Sequence, residues 1–208
     1  MSGITPIKTN GATVDLKQGP GNSRLKLNKA PRFLQVMAHS PAALRAYILA
    51  DAALVRGRLT RRQREQVALA VAEINGLSYR LPAHDEAGKN LGLTQKNMGL
   101  ARNATAADPK AETMLRFTQA VVLQRGEVSD DDFQALRKAG STDEQIIEIV
   151  ANIALNIFAN YFNNVAKTGA DFLLLQPGTG VPRLGIVKSP TQPAALTARS
   201  RKPHPKGR

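Results

Sequence analysis

An all-α bundle is what this sequence predicts, and three observations carry that prediction. Helix-start and helix-stop signals recur at short intervals from Pro41 to Lys167, and no segment sustains a two-residue alternation of apolar and polar residues. The middle of the chain is rich in Ala and Leu, has no Trp, and carries only 4% aromatics, which suits helices packed closely through small side chains. With 208 residues and 42% hydrophobic content there is enough material for one substantial domain with its own core.

The elements follow in order. Residues 1–30 mix Gly, Pro, Asn and Lys without period and read as a flexible extension. Pro41 opens a helix through PAALRAYILADAALVRG that Gly57 can close with a left-handed cap. Thr60 with Gln63 has capping-box spacing and starts a helix from about Arg61 to Ile74, increasingly apolar toward its end. Pro82 can begin the next helix, ending near Gly92, and Thr94 can cap another. Pro109 precedes the helical stretch ETMLRFTQAVVLQRG. Ser129 with three following Asp suits a helix N-terminus, and Gly140 stops that helix. Thr142 and Gln145 repeat the capping box and launch the longest helix, to about Lys167. Residues 176–208 are rich in Pro, Ser, Thr, Lys and Arg and read as a second flexible tail. The expected organisation is therefore an extension over 1–30, a helical domain over 31–175 and a basic tail over 176–208.

A net charge of +13 raises nucleic-acid binding, so its distribution decides how far that reading goes. Residues 1–32 hold a net +5, residues 181–208 a net +7, and 33–180 only +1. The tails can touch polyanions weakly; the body has no basic excess of its own. The absence of cysteine excludes disulfides, a thiolate nucleophile and Cys-ligated metal, and it fits a reducing compartment. The N-terminus lacks an apolar run of signal-peptide length, and the longest apolar stretch, 146–165, contains Glu148 and five Asn, which are costly in hydrocarbon. A cytoplasmic protein without membrane partners is expected.

At REQVALAVAEINGLSYRLPAH, residues 64–84, the pattern becomes specific. It resembles the signature of alkylhydroperoxidase D-like, peroxidase-related members of the carboxymuconolactone decarboxylase family, in which a Glu, an Asn-Gly, a Cys-x-Tyr-Cys and a downstream His form the site. Glu65, Asn75, Gly76, Tyr79 and His84 fall at the matching places; the two cysteine positions hold Leu77 and Arg80. The stretches HSPAALRAYILADAALVRGRLTRRQRE and EIVANIALNIFANYFNNVAKTGADF extend the resemblance over roughly residues 30–175. It implies an alkylhydroperoxidase D-like helical bundle that assembles into a homotrimer or homohexamer, with the site near the subunit contacts. In redox members one cysteine attacks a hydroperoxide and the other resolves it, while Glu, Tyr and His relay protons. Leu77 offers no nucleophile and Arg80 only donors, so neither replaces a thiol in that chemistry.

Each retained residue has a functional and a plain reading. Glu65 is a general base or relay group, or else a Glu paired with Arg61, Arg62 or Arg80. His84 exchanges a proton, or merely orients the start of its helix. Tyr79 donates to an oxyanion or fills a pocket wall. Arg80 holds a substrate carboxylate in a bidentate fork, or neutralises Glu65; the latter needs no unseen ligand and is preferred. Asn152, Asn156, Asn160 and Asn164 stand four residues apart, and hydrogen bonds across helices or subunits are preferred over a ligand for them. His39 and His204 have no metal-ligand companion at useful spacing, so neither a metal nor a cofactor is expected.

Three functions remain: a relative inactive as a thiol peroxidase that acts by binding or by a non-thiol reaction at Glu65, Tyr79 and His84; a cysteine-independent acid/base enzyme of decarboxylase or lactone type; and polyanion binding by the tails. A small carboxylated or hydrophobic ligand suits the first two.

Overall fold

The computed structural model describes residues 3–7, 13–15, 24–26, 30–76 and 88–168. Near the N-terminus two short strands, β1 (Thr13–Asp15) and β2 (Arg24–Lys26), pair antiparallel with Val14 opposite Leu25. This corrects the expectation of no sheet. Three residues are too few for alternation to register as a pattern, so the pairing leaves no sequence signal.

Among the described residues seven helices follow: α1 (Arg32–Met37), α2 (Pro41–Leu54), α3 (Arg61–Ile74), α4 (Gln95–Arg102), α5 (Pro109–Leu123), α6 (Asp130–Lys138) and α7 (Asp143–Ala166). The architecture is all-α. Local chemistry sets most starts. Thr60, Thr94, Ser129 and Thr142 each close a full capping box with the residue three positions on, and Ser40 and Asp108 accept from the N–H three positions on, each followed by proline at the first helical position. The Asp130–Asp132 run places negative charge at the N-terminus of α6, while Gly140, at φ +79°, ends it. Residues 88–90 are helical and are followed by Gly92 at φ +73°; the helix start expected at Pro82 lies outside the described residues.

α3 is the axis of the fold. Residues 66–72 are buried without interruption, because α4, α5 and α7 pack around it and leave that stretch no solvent-facing side. Val67, Leu69, Val71, Met98, Met114, Leu115, Phe117, Leu136, Ile149 and Ile153 form this main core. A second apolar cluster lies apart, built by Phe33, Leu34, Met37, Leu44 and Ile48 of α1 and α2, with Ile7 and Phe162 packed against it. Residues 3–7 are held there: His39 Nε2–H donates to the Thr5 carbonyl at 2.9 Å.

Two expectations are corrected along these helices. α2 stops at Leu54 on Val55, which is right-handed, and Gly57 is not among the positive-φ residues, so it supplies no left-handed cap. Its role is tertiary and concerns Glu148. Two of the four amides expected to bond across helices or subunits, Asn152 and Asn156, donate along their own helix instead. Asn152 Nδ2 donates to the Glu148 carbonyl at 2.7 Å, Asn156 Nδ2 to the Asn152 carbonyl at 2.9 Å, and Asn163 Nδ2 to the Ala159 carbonyl at 2.6 Å. Each bonds one turn back on its own helix, which an amide can do without any partner element.

α7 is, among the described helices, the one long and apolar enough to cross a membrane by length and composition. One face of it, with Ile146, Ile149, Ile153, Asn160 and Asn163, is buried in the protein. The opposite face leaves Ile147, Val150, Ala154, Phe158, Tyr161 and Val165 exposed.

Candidate functional site

The buried run of α3 begins one residue after Glu65. Arg61 and Arg62 are exposed, Glu65 is half-buried, and Gln66 onward is enclosed, so the Glu65 carboxylate stands where the helix enters the core. At the far end, Asn75 caps α3 and Gly76 turns the chain at φ +67°, a backbone state that strongly favours glycine. Among the described residues the buried Asn75 Nδ2 group has no hydrogen-bond partner. An orphaned donor of that kind costs on the order of 1–3 kcal/mol.

Leu77, Tyr79, Arg80 and His84 lie outside the described residues, as do residues 169–208 with His204. Of the candidate site residues, Glu65 is the one the structure places. Ten residues separate it from Asn75, about 15 Å along the helix axis at 1.5 Å per residue.

What the structure adds is a group of charges beside Glu65. Asp51 of α2 sits in a poorly solvated position, and burial pushes its carboxyl above the usual carboxylate range while Arg64 pulls the other way. Burial lowers the Arg64 guanidinium from its ordinary value; Asp51, Glu65 and Glu148 oppose this, and Arg61 adds to it. The Glu148 carboxylate of α7 accepts the backbone N–H of Arg58 at 2.7 and 2.9 Å and that of Leu59 at 3.0 Å. Glu144, one turn earlier, accepts Arg58 Nε at 2.9 Å. Gly57 makes the approach possible, since a Cβ there would stand 2.6 Å from the Glu148 carboxyl carbon. Sequence reasoning passed over Asp51, Arg64 and this role of Glu148. The available signal was an acid inside an otherwise apolar helix. Among the described residues no cluster of three His, Asp or Glu side chains is placed to hold a metal ion.

The Asp51 environment has a measurable consequence. A carboxyl whose folded pKa is raised contributes stability that is present below its unfolded pKa and is lost as pH rises through the folded one. At neutral pH the ionised Asp51 therefore costs stability. Asp51→Asn should raise the melting temperature by a few degrees at pH 7, and the gain should vanish below about pH 4, where the carboxyl is protonated in both states. Thermal melts at the two pH values check this. A loss at pH 7 would mean that attraction to Arg64 outweighs burial.

Comparison with known proteins bears on residues 39–123, which match the model of the carboxymuconolactone decarboxylase family. The likeness to that family is carried by this segment of the chain. It is similar to a peroxidase-related protein with an alkylhydroperoxidase AhpD core from Ralstonia eutropha JMP134, at 28% identity and a TM-score of 0.62 over 70% of this chain and 80% of that one. A peroxidase-related protein from Silicibacter sp. TM1040 matches at 26% identity and a TM-score of 0.56, over 67% of this chain and 74% of the other. A protein from Agrobacterium tumefaciens, at 22% identity and a TM-score of 0.56 over 62% of this chain and 91% of its own, shares the fold. No curated protein matches. The fold is thus alkylhydroperoxidase D-like, and the signature stretch 64–84 lies inside the family segment.

Proposed function

We propose that this chain is a carboxymuconolactone decarboxylase family member that works without a thiol couple, using Glu65, with Tyr79 and His84, to bind a small carboxylated or hydrophobic molecule. One observation carries the reading: the family match runs straight through the signature, yet the chain has no cysteine. Thiol peroxidation needs a thiolate that becomes a sulfenic acid and condenses with a second thiol. Glu65 at the edge of the core, between solvent and the enclosed part of α3, supports a role in a site. Because Glu65 lies about 15 Å from the Asn75 turn, a site joining it to His84 requires the chain after Gly76 to return alongside α3.

The exposed stripe of α7 supports assembly. Ile147, Val150, Ala154, Phe158, Tyr161 and Val165 fall within an arc of about 80° and span about 27 Å. A continuous apolar strip of that length suits a contact with a second copy of the chain.

The test has two parts. With an organic hydroperoxide and a dithiol, metal excluded, the protein should give no turnover above the protein-free rate; turnover at a rate typical of thiol enzymes would overturn the reading. In a thermal-shift panel of carboxylated lactones and aromatic acids, a binder at 100 times its Kd should stabilise the protein by about 2.7 kcal/mol, and Glu65→Gln with His84→Ala should abolish the shift. Release of carbon dioxide from a carboxylated lactone would favour the acid/base enzyme instead. Binding untouched by both substitutions would remove Glu65 and His84 from the site.

A further inference from the structure

We propose that Glu148 is a positioning residue for Glu65: by receiving the Arg58 and Leu59 N–H groups it fixes the axial position and rotation of α3, and with them the direction of the Glu65 carboxylate. This rests on reading Glu65 as a site group.

The argument starts from what otherwise holds α3. Three of the seven enclosed residues 66–72 are Ala68, Ala70 and Ala72. Short side chains make shallow ridges, so packing against α4, α5 and α7 resists rotation and sliding of α3 less than long side chains would. A polar fastening lies at the N-terminal end, six and seven residues before Glu65. There, charge-assisted hydrogen bonds join the loop directly to the second turn of α7. Thr60, the next residue, begins α3 with a full capping box, so the loop and the helix move as one piece.

Gly57 shows that this contact is built into the sequence. Its φ does not demand glycine, yet any side chain there would occupy the place of the Glu148 carboxylate. Glu144 secures the Arg58 side chain on the same face of α7, and Asn152 donates to the Glu148 carbonyl. Arg64, the neighbour of Glu65, lies in the field of both Glu148 and Asp51. Glu148 and Glu65 thus both act on Arg64, which ties the loop contact to the turn of α3 that carries Glu65.

The test uses the full chain and four variants: Glu148→Ala, Glu148→Gln, Gly57→Ala and, as control, Glu144→Gln. Hydrogen exchange reads the Arg58 and Leu59 amides, and carbodiimide labelling followed by mass spectrometry reads the reactivity of Glu65. Glu148→Ala and Gly57→Ala should speed exchange at both amides by about tenfold or more. They should also change the labelling rate of Glu65 by about threefold or more. Glu148→Gln keeps an acceptor oxygen and should restore most of both, and Glu144→Gln should leave both near wild type. Faster exchange with unchanged Glu65 labelling overturns the proposal, because α3 is then positioned by its apolar contacts. Unchanged exchange overturns it as well. Where Glu148→Ala fails to fold, Gly57→Ala carries the test, since it removes no polar group. Failure of the functional reading of Glu65 shows separately: Glu65→Gln then leaves ligand stabilisation intact while the fastening results stand.

Discussion

Lysines at positions 161 and 165 should reduce the particle in solution to a single chain of 22.4 kDa without loss of helix content. Tyr161 is 56% exposed and Val165 75%, so within one chain neither change disturbs packing, and surface changes of this kind usually cost less than about 0.5 kcal/mol. Against a second copy the same changes place charges inside an apolar contact, where they lose water without gaining a partner. The double variant Tyr161→Lys, Val165→Lys therefore separates association from folding. Light scattering at micromolar concentration, with far-UV circular dichroism alongside, makes the measurement. A wild-type monomer would dismiss the proposed contact, and a variant with unchanged mass would move it to another face.

Phe117→Ala should be the most damaging single change in the main core. Phe117 is 2% exposed on α5, with its ring edge-on to Phe133 at 5.5 Å. It belongs to the cluster around α3, so its removal leaves a cavity that helices on several sides would have to fill. Loss of a buried Phe costs roughly 3–5 kcal/mol. For a domain of this size that lowers the melting temperature by on the order of 10 °C. Denaturant titration should show a lower midpoint at unchanged slope, and Phe117→Leu should lie between the two. A loss of less than about 1 kcal/mol would mean that the ring is not enclosed as described.

Helix starts were legible in the sequence wherever their cause is short-range. The boxes at Thr60 and Thr142, the cap at Thr94, the acidic start after Ser129 and the stop at Gly140 are set within four residues of chain, and the structure has all of them. Gly57 was misread because its cause is distant: the carboxylate it makes room for belongs to Glu148, far along the chain on α7. A glycine just past an apolar run looks the same whether it turns the chain or admits a neighbour. Asn152 and Asn156 were misread for a related reason. Four-residue spacing is the spacing of a helix face and also of a one-turn back-bond, and sequence alone does not distinguish them. Glu65 was legible as an edge-of-core residue from the gradient of polarity along α3. Asp51 and Arg64 were not, because their meeting depends on how α2 and α3 lie against α7.

The separation of the two apolar clusters gives the molecule two grades of durability. α1 and α2, with residues 3–7, close one small cluster against the C-terminal half of α7, while α3 to α6 and the N-terminal half of α7 enclose the larger one. Breaking the smaller cluster leaves the larger cluster's own contacts in place. On warming, α1 and α2 are then expected to part first, pivoting like a hatch at residues 55–59, so their amides should exchange faster than those of α3. The hinge is the stretch Glu148 grips, so the residue that orients α3 is also the one that keeps this hatch from tugging on it.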